Sequence, residues 1–199
     1  MDFRSKVLPV VILVAALVLP TQATTQVSLG GGPSFPMGSL ADEARTGHHY
    51  QGSVTVSPAV LPFRLRTDLF YQRFNGVERE PNINVSLGGE WYRQLGFKLN
   101  AMYEFPLQAA SPYVLLGGAW LREWHGDRTF SGTNHTAFSL NAGVGVHIPV
   151  TDGVELFLEA PYLNFAAGKA LPTNPPAVLE EVQFRSIPTT IGVRLGMGR

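Results

Sequence analysis

The residues best placed to do chemistry are Ser139, the five histidines and a scatter of charged side chains. A serine and a histidine within hydrogen-bond reach could carry acyl transfer, because the imidazole takes the hydroxyl proton and frees a nucleophile. Ser139 and His147 stand eight positions apart. Along an extended strand that separation is roughly 27 Å, too far for a dyad. His48 and His49 fall in the first long polar connection, and His125 and His135 flank the third. A metal site would need several of them to converge, whereas polar-loop histidines are ordinarily solvated. Gly30-Gly31-Gly32-Pro33 is glycine-rich, but no helix follows it, so it is not a phosphate loop. With no cysteine in the chain, a thiolate metal site, a disulfide framework and a cysteine nucleophile are all excluded. The expectation is a protein with no catalytic residues, no cofactor, no metal, and no enzymatic activity.

The elements that must position the charged residues are strands. From Phe63 to Arg73, Phe63, Leu65, Leu69 and Tyr71 share one face, while Arg64, Arg66, Asp68 and Gln72 share the other. Gly96 to Phe105 repeats this, with Phe97, Leu99, Ala101, Tyr103 and Phe105 against Lys98, Asn100, Met102 and Glu104. In Thr136 to Ile148, Phe138, Leu140, Ala142, Val144, Val146 and Ile148 oppose Ser139, Asn141, Gly143, Gly145 and His147. Such alternation marks a strand with one apolar and one polar face. Weaker versions surround Val27 and Leu29, Val54 and Val56, Val154 to Tyr162, and Ile187 to Leu195. Tyr113 to Trp124 is apolar almost throughout, and its faces cannot be assigned from the pattern.

These eight segments are joined unequally. Short turns rich in proline or Asp-Gly follow the second, fourth and sixth: Pro58 to Pro62, Pro106 to Pro112 and Pro149 to Gly153. Long polar connections follow the odd-numbered segments, including Gly38 to His49 and Asn75 to Leu95. Short turns on one rim and long loops on the other is the arrangement of a transmembrane β-barrel. Asn82 to Trp91 also alternates, and is either an extra strand, an upward extension of the strand from Gly96, or a hairpin in the loop.

Composition points the same way. Charged residues are 15% of the chain, hydrophobic ones 45%, and 21 residues are glycine; soluble domains average roughly 25% charged. Basic and acidic residues are equal in number, 15 of each, without the basic face a nucleic-acid partner would require. Residues 1–23 read as a signal peptide: Arg4 and Lys6, an apolar run from Val7 to Leu19, then Pro20 and the small-residue site ending at Ala23. The thirteen apolar positions fall short of the roughly 20 a spanning helix needs. Residues 24–199 are then the mature domain.

If the apolar faces look outward, the lumen holds Arg64, Arg66, Lys98 and Arg194 beside Asp68, Glu104, Glu155 and Glu159. Four positive charges meet four negative ones. An eight-stranded barrel is just wide enough for side chains to fill, and buried charges in it must be paired. Arg64 with Glu104, and Glu155 with Arg194, are the expected pairs near the short-turn rim. A proton or ion relay is the functional alternative to a structural salt-bridge network. Phe63, Tyr71, Tyr103, Phe105, Tyr113, Trp124 and Tyr162 lie near strand ends, where aromatic girdles sit.

The stretches Val27 to Phe35, Leu61 to Phe74, Ala101 to Pro106, Ser111 to Leu121, Asn141 to Val146 and Ile187 to Leu195 resemble small porin-like bacterial outer-membrane β-barrel domains of OmpA/OmpX-class architecture. The resemblance covers nearly all of residues 24–199. It implies an all-β, antiparallel up-and-down barrel of eight strands in the outer membrane of a Gram-negative-type bacterium. The partners it implies are outer-membrane lipid and lipopolysaccharide, the barrel assembly machinery during insertion, and an extracellular loop ligand. Barrels of this kind usually end on an aromatic residue, whereas this chain continues past Leu195 to Gly196-Met197-Gly198-Arg199. Such scaffolds host different functions. Three readings follow: a structural envelope barrel with partner-binding loops, a narrow porin for small solutes, or a lipid-modifying enzyme, for which no constellation is found.

Overall fold

The alternating segments form strands with their polar sides turned inward. The computed structural model describes residues 24–59, 61–76, 91–107, 109–126, 133–165 and 184–197. The expected signal peptide lies outside them, as do positions 82–90 of the ambiguous segment. In chain order the elements are β1 (Thr24–Met37), α1 (Ser39–Glu43), β2 (Gly47–Ser57), β3 (Arg64–Asn75), β4 (Trp91–Glu104), β5 (Ser111–Gly126), β6 (Thr133–Thr151), β7 (Val154–Phe165), β8 (Phe184–Pro188) and β9 (Thr190–Met197). From β1 to β8 every strand pairs antiparallel with its chain neighbour, and β1 pairs with both β8 and β9, which closes the sheet.

β8 and β9 are two lengths of one barrel strand, so the barrel has eight. The register does not slip between them: Ser34 faces Pro188 and Gly31 faces Ile191 on one side. On the other side, Leu163 faces Ser186 and Glu159 faces Thr190. The strand is interrupted at Thr189, beside Pro188, which has no N–H to give the ladder. The Thr189 N–H still donates to the Pro33 carbonyl at 2.8 Å. β4 begins at Trp91, five residues above Gly96, so this strand does extend beyond the expected start.

The short-turn rim carries the connections from β2 to β3, β4 to β5 and β6 to β7. The last is Asp152-Gly153, with Gly153 at φ 83°, a conformation glycine adopts without a Cβ clash. At the opposite rim α1 packs on β1 and β8. Its Leu40 and the following Ala44 are buried with Phe70, Phe74, Tyr92, Ala119, Leu121, Ala137 and Leu163 in one apolar cluster. The strand residues among them belong to inward rows, so the long-loop end of the lumen holds an apolar cluster capped by α1, interleaved with the buried polar row of His49, Gln72, Gln94 and Glu123.

Outside, the sheet is the reverse of a soluble protein. Leu29, Leu69, Leu116, Phe138, Leu140, Val144 and Ile191 are exposed, while Arg66, Asp68, Lys98 and Glu159 are buried. A barrel polar within and apolar without is matched to hydrocarbon rather than water. Among the described residues no helix is long and apolar enough to cross a membrane; the crossing is made by strands. Leu116, near the middle of β5, is 67% exposed. Leu116→Arg should therefore destabilise the lipid-embedded barrel by about 2–4 kcal/mol, read as a lower urea midpoint in vesicles. An unchanged midpoint would mean that this face does not lie in hydrocarbon.

Candidate functional site

The lumen is where the charged residues converge. All eight named from the sequence belong to inward rows, and they fall into two groups. At the short-turn rim, Arg64 meets Glu104 at 2.7 Å. Arg194 reaches Glu104 at 3.3 Å and also binds Glu155. Arg64 further donates to Gln26 at 3.4 Å, and His147 Nδ1 lies 3.2 Å from Glu104. The structure thus brings Arg64 to Glu104 and Glu155 to Arg194, but it joins the two pairs through Glu104 into a single chain.

The second group lies deeper. Arg66 Nε donates to Asp68 at 2.6 Å, and its two terminal nitrogens grip Glu159 from across the barrel. This fork-to-carboxylate geometry is the strong form of a charged hydrogen bond. Tyr113 donates to Glu159 at 2.7 Å and Asn100 donates to Asp68 at 2.8 Å. Ser53 also donates to Asp68. Lys98 is 3.9 Å from Asp68 and donates to Gln51 at 2.8 Å; Gln51 in turn donates to Glu159 at 3.3 Å. Asn141 extends the net by donating to Asn100. Strands β2 to β7 all contribute. Two positive and two negative charges are held with neutral donors between them, so desolvation is offset by hydrogen bonds as well as Coulomb attraction.

Three features of the lumen are not legible in the sequence. His49 is not in a loop: it lies in β2, is 2% exposed, and bridges Ser34 (3.0 Å to Nδ1) and Thr190 (2.8 Å to Nε2). His48 is also in β2, on the outer face beside Tyr50. His125 and His135 belong to the ends of β5 and β6 rather than to the connection between them. Tyr113 and Glu123 both join the inward row of β5, the strand whose faces the apolar pattern leaves open. Glu123 is a fifth lumenal carboxylate beyond the balanced eight. It stands level with Gln94 and Gln72 on the neighbouring strands.

Ser139 and His147 are both buried, yet serve different partners. Ser139 donates to the carbonyls of Leu140 and Asn164, and His147 stacks on Tyr113 at 4.3 Å. Among the described residues no group of three or more His, Asp or Glu side chains is placed to hold a metal ion. The glycines of β6 do not open the lumen. A Cβ at Gly145 would strike the Tyr113 ring, and one at Gly143 would meet Pro161 at 2.6 Å. Their missing side chains make room for neighbours already there.

The closed barrel, its polar interior and its apolar belt define the class: the chain has the fold of the small eight-stranded outer-membrane β-barrels. Neisserial surface protein A superposes with a TM-score of 0.59 at 20% identity, covering 89% of this chain and 100% of that one. OprG from Pseudomonas aeruginosa gives 0.56 at 11% identity, over 89% and 95% of the two chains. A major outer membrane protein from Thermus thermophilus gives 0.55 at 12%, over 89% and 100%. No family model matches the sequence, and a search of curated proteins finds no match.

Proposed function

We propose that the protein is a structural barrel of the bacterial outer membrane, with a filled, non-conducting lumen and long surface loops that bind outside partners. The observation that carries this reading is the occupancy of the interior. Salt bridges and hydrogen bonds link β2 through β7 in mid-barrel. At the long-loop end an apolar cluster under α1 packs together with the buried side chains of His49, Gln72, Gln94 and Glu123. A continuous water path would have to break both. An ion passing the apolar side chains of that cluster meets a dewetting barrier, and moving Arg66 aside would leave Lys98 to face both Asp68 and Glu159.

A narrow porin is the competing reading, and the glycine-rich β6 face is its main support. That support weakens because Tyr113 and Pro161 occupy the space beside Gly145 and Gly143. The described residues offer no serine–histidine pair facing lipid: Ser34 and His49 touch, but Ser34 is 0% exposed and faces the lumen.

Conductance across a planar bilayer tests the proposal. Folded, heat-modifiable protein is expected to give no current steps. Stable steps whose ion selectivity changes in Lys98→Glu or Glu104→Gln would replace the filled barrel with a charged pore.

A further inference from the structure

One outward-facing, partly exposed cluster is not explained by the lumen. On the outer face, His48, Arg73, Arg93 and Trp124 stand level with one another across β2, β3, β4 and β5. One row nearer the short-turn rim stand Tyr50, Tyr71, Leu95 and Arg122. The next row is Gly52, Leu69, Phe97 and Trp120, within the apolar belt. Going from the belt toward the long loops, the surface therefore changes from aliphatic and aromatic to a row with two tyrosines and Arg122, and then to one with Arg73 and Arg93 beside His48 and Trp124. That is the order in which a spanning barrel meets hydrocarbon, the interface and headgroups.

The arginines repel one another where they stand. Arg73 and Arg93 are directly opposite on paired strands, where like charges are destabilising. Arg122 is the diagonal neighbour of Arg93, within reach of a long side chain. Among the described residues no carboxylate forms a salt bridge with any of the three. The Nε atoms of Arg73 and Arg93 are buried without a hydrogen-bond partner. Two of the guanidiniums are fixed against indoles: Arg93 lies 4.3 Å from the Trp91 ring centroid and Arg122 5.4 Å from that of Trp124. Stacking holds Arg93 and Arg122 in place while leaving their terminal nitrogens able to donate, and together with Arg73 they present three guanidinium forks, which suit phosphate oxygens.

We propose that Arg73, Arg93 and Arg122 form a binding site for the phosphates of an outer-leaflet glycolipid, whose acyl chains lie along the apolar belt below. The inference rests on the outer-membrane reading and names a lipid partner for it. A lipid rather than a soluble anion is indicated by position, because the cluster borders the hydrocarbon-facing rows and its lower neighbours are Tyr71, Leu95 and Trp120.

Trp91 and Trp124 supply the readout. Protein expressed from the whole coding sequence and purified from outer membranes is exchanged into neutral detergent. It is then titrated with diphosphorylated lipid A, with the same glycolipid after phosphate removal, and with inorganic phosphate. The diphosphorylated lipid is expected to change tryptophan fluorescence saturably, the dephosphorylated form to bind at least tenfold more weakly, and inorganic phosphate to have no effect at equal concentration. Arg73→Gln/Arg93→Gln/Arg122→Gln should weaken the lipid tenfold or more while keeping heat-modifiable migration. Equal binding of both lipids, full competition by inorganic phosphate, or a folded triple variant with unchanged affinity would each overturn the site. Should the triple variant fail to fold, Arg93→Lys replaces it, keeping the charge but losing the fork. A loss of threefold or more is then expected, and an unchanged affinity would overturn the site. Failure of the wild-type chain to appear folded in outer membranes would instead refute the barrel reading.

Discussion

Arg66→Met is expected to destabilise the folded barrel by about 3–5 kcal/mol, because it strands two buried carboxylates. Arg66 contacts Asp68 and Glu159, whose side chains are both 0% exposed. Without it, Lys98 alone faces two negative charges, at 3.9 Å from Asp68 and linked to Glu159 only through Gln51. Glu159→Met has the mirror effect, leaving Arg66 and Lys98 with Asp68 and taking the partner from Tyr113. The double variant Arg66→Met/Glu159→Met removes one charge of each sign and keeps Lys98 with Asp68. Its cost should therefore fall well below the sum of the two single costs, with a coupling of about 2 kcal/mol or more. Urea titration of the barrel refolded in vesicles, followed by heat-modifiable migration, measures all three. Single costs below about 1 kcal/mol that simply add would show that the pair is not a buried, desolvated contact.

How far the lumen is legible in the sequence depends on contrast between the two faces of each strand. In β3 and β6 the contrast is nearly complete, and the period of two groups Arg64, Arg66 and Asp68, and Ser139, Asn141 and His147, on the faces that these strands turn inward. In β5 both faces are apolar, because Leu115, Ala119 and Leu121 pack inside while Val114, Leu116 and Trp120 face out. Only Arg122 and Glu123 differ, and adjacent opposite charges give no face. Tyr113 and Glu123 are hidden with it. His49 escapes for another reason: composition marks Gly38 to His49 as polar, but a polar side chain can end a loop or begin the lumenal row of a strand. Closure decides between these, since β2 must reach up as far as β1, which pairs Gly32 with His49. The partners of Glu159 lie beyond local pattern altogether. Arg66 and Gln51 meet it across the barrel, over contacts that sequence spacing does not encode.

The joined chain at the short-turn rim changes what charge reversal should do. Were Arg64–Glu104 and Arg194–Glu155 independent, reversing both members of either pair would restore stability. Glu104 instead stands between Arg64 and Arg194, at 2.7 and 3.3 Å, and His147 adds a third contact at 3.2 Å. Arg64→Glu/Glu104→Arg therefore recreates its own pair but sets a new arginine against Arg194. Arg194→Glu/Glu155→Arg likewise sets a new glutamate against Glu104. Each single reversal at Glu104 or Arg194 should cost about 3 kcal/mol or more, as expected when a buried pair is broken. Each double reversal should recover only part of that loss. The order of signs along Arg64, Glu104, Arg194 and Glu155 alternates, so inverting all four preserves every attraction at once. The fourfold variant is expected to regain most of the wild-type urea midpoint and the normal yield of folded protein in outer membranes. Residual loss should come from His147, whose new neighbour at position 104 can no longer accept a hydrogen bond. Adding His147→Gln, which offers an amide oxygen to the new arginine, should reduce that residue of the loss. Full rescue by one double reversal would show that the two pairs act separately and that the Glu104–Arg194 contact carries no weight.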